Sequence, residues 1–361
     1  MLKSLLIGMV IAIGGSLATL ILLPKPIAST SWEPSETLGY KGVLSPNSAL
    51  LPLNTISLGV DRGPEDVAIN QEGVLFSASS SGHILRYSLS DNRMQRWVYT
   101  GGHPLGMRFD SEQNLIVADA TLGLLSVSPK GNISILTNRF KDEPLGFTDA
   151  VAIADDGTIY FTDASTRYSV RDYGSPSDTS HFDILESIPN GRVLRYSPVT
   201  GQTSLVADNI QFANGIVLTA DQSSLLVNET GRYRVLRISL LDDTFGQKSV
   251  LIDGLPGFPD NLSRGNDGLY WLGLVAPRSQ IVDALASWPS VRDSIALLPK
   301  WLQPKPIAYS HIIAFNANGE IVKSLQDPLG SIPMTTGAVV NGDKLYITSL
   351  TANVIGIRAL D

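Results

Sequence analysis

Short apolar runs alternate with polar turns from residue 51 to the C-terminus, and the alternation falls into six copies of one pattern. The copies open at Glu65-Asp66-Val67-Ala68-Ile69, Leu105-Gly106-Met107-Arg108-Phe109, Thr148-Asp149-Ala150-Val151-Ala152, Asn214-Gly215-Ile216-Val217-Leu218, Asp260-Asn261-Leu262-Ser263 and Thr336-Gly337-Ala338-Val339-Val340. A turn and a second apolar run follow each opening, as in Ile159-Tyr160-Phe161-Thr162 and Leu345-Tyr346-Ile347-Thr348. Runs rich in Val, Ile, Leu, Phe and Tyr between Gly, Asp, Asn and Ser read as β-strands. Turns such as Asp155-Asp156-Gly157 and Asn341-Gly342-Asp343 tolerate positive φ and close tight hairpins. Starts about forty residues apart match the period of a four-stranded blade. The pattern predicts an all-β, six-bladed β-propeller over residues 51–361.

Two copies are longer. The third carries an insertion at 167–190 and the fifth one at 277–309. Within the latter, 281–285 and 291–298 have a helical pattern, and Trp288 and Trp301 flank the second stretch. Insertions on a propeller lie on loops, often over the binding face, so these predict a small helical lid. The competing reading is an amphipathic surface that touches lipid.

Ahead of the repeats, residues 4–23 are about twenty mostly apolar positions, enough to cross a bilayer. Residues 1–24 are therefore expected to form a transmembrane signal anchor, with a cleavable signal peptide as the competing reading. Residues 25–50, rich in Pro, Ser and Thr, read as a linker. The expected topology is single-pass, with the propeller on the extracytoplasmic side.

Composition narrows the chemistry. The net charge of −7 and the lack of a Lys/Arg stripe argue against nucleic acid as a partner. No cysteine is present, which excludes disulfides, thiolate catalysis and Cys-ligated zinc. The four histidines are far apart and show no zinc-binding spacing.

Copies arranged around an axis bring their first residues into a ring. Glu65, Asn214, Asp260 and Asn261 then converge, and Thr148 adds a hydroxyl. Clustered carboxylate and amide oxygens suit a hard cation such as Ca2+, which takes six to eight oxygen ligands. Leu105 and Thr336 close the ring without charge. Asp66 and Asp149, beside ring positions, are candidates for a second ion deeper in the channel. The competing reading is that these side chains cap strand starts through local hydrogen bonds. The second runs end in register at Ser79, Asp119, Asp163, Glu229, Gly273 and Ser349. In an antiparallel hairpin those ends lie beside the ring. Asp119, Asp163 and Glu229 are thus candidate general bases, or partners that hold the ligands in place.

Several segments resemble the strictosidine synthase-like and adipocyte plasma membrane-associated protein-like family, within the gluconolactonase–regucalcin–paraoxonase superfamily. They are Gly63-Pro64-Glu65-Asp66, Phe147-Thr148-Asp149, Phe212-Ala213-Asn214-Gly215 and Leu255-Pro256-Gly257-Phe258-Pro259-Asp260-Asn261. Tyr160-Phe161-Thr162-Asp163-Ala164-Ser165, Arg171-Asp172-Tyr173 and Tyr270-Trp271-Leu272-Gly273 extend the likeness, which covers about residues 50 to 361. The resemblance implies a six-bladed propeller with calcium in its channel, held at Glu65, Asn214, Asp260 and Asn261. It also implies a second, structural calcium at Asp66 and Asp149. Thr148 departs from the Asn common in the family. Leu105 and Asp119 fall near the positions of a catalytic histidine pair, and His103 lies two residues from the first. Residues 331–341 hold no carboxylate, whereas the condensing synthase needs a glutamate there. The implied activity is calcium-dependent hydrolysis of a small-molecule ester or lactone. The alternative is a non-catalytic propeller that binds a ligand or a protein.

Overall fold

The computed structural model describes residues 24–360 apart from 89, 91, 304 and 305. The predicted anchor at residues 4–23 lies outside the described residues. Among the described residues, no helix is long and apolar enough to cross a membrane.

Six four-stranded antiparallel sheets form the propeller, and the strands of the first five follow chain order from the axis outward. Blade 1 runs Val67–Ile69, Val74–Ala78, His83–Ser88 and Arg93–Tyr99. The inner strands of the next five blades are Pro104–Phe109, Thr148–Ile153, Ala213–Leu218, Gly257–Arg264 and Thr335–Asn341. Second strands such as Val74–Ala78 are buried at every residue, because neighbouring blades cover both faces. That explains why they read as continuous apolar runs rather than strict alternation. Outer strands such as Arg93–Tyr99 are largely exposed and carry the charges.

Apolar side chains between blades make the core. Val193 and Ile210 of blade 3 pack with Ile216, Leu225, Val227 and Leu236 of blade 4. Leu226 and Val235 of blade 4 pack in turn with Leu272, Ile313 and Phe315 of blade 5. The ring closes because the outermost strand of blade 6 comes from the other end of the chain. Asn54–Ser57 pairs antiparallel with Val354–Ala359, and Ile56 stands opposite Ile355.

The Pro- and Ser-rich stretch at 25–50 packs along the propeller. Thr30 N donates to Glu186 O at 3.1 Å, Leu38 N to Gly254 O at 2.7 Å, and Leu44 is buried against blades 4 and 5. The insertions form four helices, Val170–Tyr173, Pro176–Glu186, Gln280–Ala284 and Pro289–Ile295. The last starts two residues ahead of the predicted stretch, because Pro289 fits the first helical turn. Ser175 and Ser279 cap their helices by accepting from Asp178 N and Val282 N.

Arg292, 1% exposed, ties these parts together. Its guanidinium donates to the carbonyls of Leu185, Glu186, Ala286 and Thr30. Both insertions and the N-terminal stretch therefore share one buried cation.

Truncation of the closing strand tests its weight. Ile56→Ala should lower stability by about 2–5 kcal/mol, read from the urea midpoint. An unchanged midpoint would mean that this strand does not hold the ring shut.

Candidate metal centre

Five of the inner strands break register at the same place. The breaks fall between Pro104 and Met107, Thr148 and Val151, Ala213 and Ile216, Pro259 and Leu262, and Thr335 and Ala338. Such a bulge swings a side chain out of the ladder. The first bulged residues are Leu105, Asp149, Asn214, Asp260 and Thr336. Glu65 takes the same phase in blade 1, two residues ahead of Val67, whose partner is Ser77. The ring predicted from the sequence is therefore corrected in blade 3. Thr148 pairs across the hairpin with Asp163, and Asp149 holds the ring position. Counting back from the apolar run placed the ring one residue early, because a bulge has no signature in hydropathy.

The second bulged residue is glycine in three blades because the neighbouring strand comes so close. A Cβ on Gly215 would meet Asp260 O at 2.4 Å, and one on Gly337 would meet Asn261 Cβ at 2.8 Å.

The structure brings Glu65, Asp149, Asn214, Asp260 and Asn261 together at the axis. Asn261 Nδ2 donates to Glu65 Oε1 at 2.7 Å and to Glu65 O at 3.0 Å. Thr336 Oγ1 also donates to Glu65 O, at 2.7 Å. The Asn214 side chain faces Asp260 and favours its charged form. Asn228, absent from the predicted set, donates through Nδ2 to Asp260 O. An Asn closing the apolar run Leu225-Leu226-Val227, one residue ahead of Glu229, was the signal that could have marked it.

Four oxygens in this region are buried without a hydrogen-bond partner: Glu65 Oε2, Thr148 Oγ1, Asn214 Oδ1 and Asn228 Oδ1. Acceptors buried without donors are costly unless something positive faces them. Burial pushes the Glu65 carboxyl well above its usual range, and the charges of Asp260, Asp149 and Asp66 push it further. Burial likewise raises Asp260, with Asp149 and Asp66 adding to the shift. Desolvation pushes Asp149 up to about 8. Among the described residues, no group of three or more His, Cys, Asp or Glu side chains forms a metal cluster. The donor set here is mixed, with carboxylates, amides and a hydroxyl, which suits a hard, oxygen-seeking cation.

Asp66 turns away from this set. Its Oδ1 accepts from Val67 N at 2.8 Å, and its Oδ2 from Met107 N at 3.0 Å and Arg108 Nη1 at 2.6 Å. A guanidinium already stands where the sequence suggested a second ion.

Asp119, Asp163 and Glu229 are placed as staples. Asp119 Oδ1 accepts from the backbone of His103, Thr121 and Leu122, each at 3.0 Å, and Oδ2 from Thr100 Oγ1 at 2.8 Å. Asp163 accepts from Gly146 N and Phe147 N and pairs with Arg192 at 2.8 Å. Glu229 accepts from Gln211 N at 2.7 Å and Arg234 Nε at 2.5 Å. Each acid thus clamps the loop that enters its own blade's inner strand, and all three are almost fully buried. These bonds engage the oxygens that a general base would need for water, and none reaches Glu65, Asn214, Asp260 or Asn261. Leu105 sits in an apolar wall with Ala120, Phe147, Val170 and Phe212. His103, half-buried, lies 3.1 Å from Thr121 Oγ1.

Known proteins share this fold and stretches of this sequence. The strictosidine synthase family model matches residues 149–242, and the strictosidine synthase-like N-terminal model matches 42–87. Strictosidine synthase-like protein 4 of Arabidopsis thaliana is 31% identical over 341 residues, covering 90% of this chain and 89% of its own. The adipocyte plasma membrane-associated protein of Danio rerio is 30% identical over 339 residues, covering 88% and 80%. Among solved structures, a gluconolactonase from Xanthomonas campestris superposes with a TM-score of 0.64 at 15% identity, covering 94% of this chain and 99% of that one. The calcium-binding protein regucalcin from Agrobacterium tumefaciens gives 0.58 at 12% identity, covering 83% and 94%. These two likenesses show the shared propeller fold.

The raised carboxyls set a pH dependence. Unfolded Asp and Glu titrate near about 4. A group whose folded pKa is higher stabilises the fold below that value, and the benefit is lost as pH rises through the folded pKa. In chelator, the melting temperature should fall as pH rises from about 4 through about 8, the value reached by Asp149. Saturating calcium should remove most of that fall. A flat profile in chelator would show that the axial acids do not repel one another.

Proposed function

The chain belongs to the strictosidine synthase-like family, and from that premise we propose that its channel binds calcium and hydrolyses small-molecule esters or lactones. The observation that carries the reading is the pair of buried oxygens without donors, Glu65 Oε2 and Asn214 Oδ1, beside Asp260. Those residues would hold the ion, and Asn261 fixes the Glu65 carboxylate from behind. The fold neighbours support the reading, since one is a gluconolactonase and another a calcium-binding protein.

Calcium bound there supplies Lewis-acid polarisation of a carbonyl and a positive field for the developing oxyanion. The chain's own residues do the rest. Asn228 and Thr230 hold the Asp260 strand by donating to Asp260 O and Pro259 O. Asp149 has no hydrogen-bond partner among the described residues and borders the ion site. We assign it the proton from the attacking water. The lid is tied down by Arg292 and by Gln211 Nε2 donating to Asp183, and over the mouth it would exclude bulk water. Condensation chemistry is not part of the proposal, because the entry to blade 6 carries Thr335 and Thr336 and no carboxylate.

The second reading, a binding propeller without turnover, is favoured by the engagement of Asp119, Asp163 and Glu229 in backbone clamps. Hydrolysis of aryl acetates and simple lactones by the purified chain separates the two. Glu65→Gln and Asn214→Ala should each lower kcat/KM by about 10²-fold or more, and chelation should abolish turnover. Activity that survives chelation and both substitutions would sink the hydrolase reading. Calcium binding with no turnover would leave the binding reading.

Attachment to a bilayer through residues 4–23, with the propeller on the extracytoplasmic side, belongs to the same proposal. Alkaline carbonate extraction should leave the full chain in the membrane pellet. Release into the supernatant would overturn the anchor.

A further inference from the structure

The channel beyond the ion site contains a cation that the chain supplies itself. Arg108 follows the bulge in the inner strand of blade 2, and its side chain reaches across the axis. Nη1 donates to Asp66 Oδ2 of blade 1 at 2.6 Å and to Met107 O of blade 2 at 2.5 Å. Nη2 donates to Leu262 O of blade 5 at 3.1 Å. One carboxylate and two backbone carbonyls, from three separate blades, surround a single positive group. That oxygen set is of the kind calcium takes. A guanidinium fills it with directed donors and cannot exchange with solvent ions.

We propose that Arg108 is a built-in second cation, so that the channel takes up one divalent ion and not two. The proposal rests on the reading that the axial site binds calcium. It reassigns Asp66 from metal ligand to ion-pair partner of Arg108. Glu65, Asp66, Asp149 and Asp260 are four carboxylates along one channel. Arg108 offsets one of them permanently, where loss of a second ion would leave it bare. The side chain of Arg108 is 28% exposed, against 4% for its partner Asp66.

The test is calcium stoichiometry in the full chain, by isothermal titration calorimetry and by metal analysis after equilibrium dialysis. Wild type should bind one calcium per chain. Arg108→Met, which keeps the apolar stem and removes the charge, should bind two. Its melting temperature in millimolar calcium should rise further above the chelator value than that of wild type. Arg108→Lys keeps a charge and should remain at one. Two ions in wild type, or one in both wild type and Arg108→Met, would overturn the proposal. No ion in wild type and one in Arg108→Met would keep Arg108 as a cation surrogate and sink the axial calcium site. No ion in either would sink both. If Arg108→Met folds poorly, calcium but not magnesium should restore its soluble yield, and failure of calcium to do so would count against the proposal. Asp66→Asn/Arg108→Met removes both charges. It should fold in chelator and bind one ion, and two ions there would overturn the role given to Asp66.

Discussion

Repulsion among acids buried at the axis is the constraint on which this structure turns. Glu65, Asp149 and Asp260 come from blades 1, 3 and 5 and meet where water is largely excluded. Removing a carboxylate from water costs several kcal/mol even after the protein relaxes. A chain that concentrates such groups must hold them in place and offset their charge. Asp66 has Arg108 as its offset. The other three face one another and a set of oxygens without donors.

Holding them is the work of two repeated devices. The bulge turns one side chain per blade toward the axis, and the acid or serine at the end of the second strand clamps the loop that leads into it. Asp119, Asp163 and Glu229 each accept backbone N–H from that loop, and Ser349 does the corresponding work in blade 6 by donating through Oγ to Pro333 O. The ring of oxygens is therefore set by main-chain geometry in six sheets. This is how a rigid scaffold fixes ligand positions without a dedicated binding loop.

The lid and the N-terminal stretch add a second layer on the same mouth. The helix Pro176–Glu186 ends in free carbonyls at Leu185, Glu186 and Ser187. Arg292 and Arg232 reach these from two directions. Cations at a helix C-terminus are favourable. Glu186, fully buried, accepts from Ala28 N and pairs with Arg167 at 2.8 Å. Thr30 and Trp32 then continue along the lid, and Arg232 stacks on Trp32 with 4.5 Å to the ring centroid. The stretch that composition marked as a linker is bound along its length, because its backbone donors and acceptors find partners on the helices and blade edges it crosses.

Hydropathy and turn chemistry were enough to read the six copies and the blade strands, and the motifs around Glu65, Asn214 and Asp260 carried the resemblance to the family. Those signals are local: a buried strand needs an apolar run, a hairpin needs Gly, Asn or Asp, and a ring of copies needs a fixed period. What sequence order could not supply was register and partnership. Only the folded sheets show that a bulge puts Asp149 in the ring and leaves Thr148 one step behind. Only they show that Asp66 faces Arg108 instead of a second ion, and that Asp119, Asp163 and Glu229 spend their oxygens on backbone N–H groups. Each of these depends on contacts between residues of different strands or blades, such as Arg108 with Asp66 and Leu262. Periodicity along one strand carries no record of what lies across the axis.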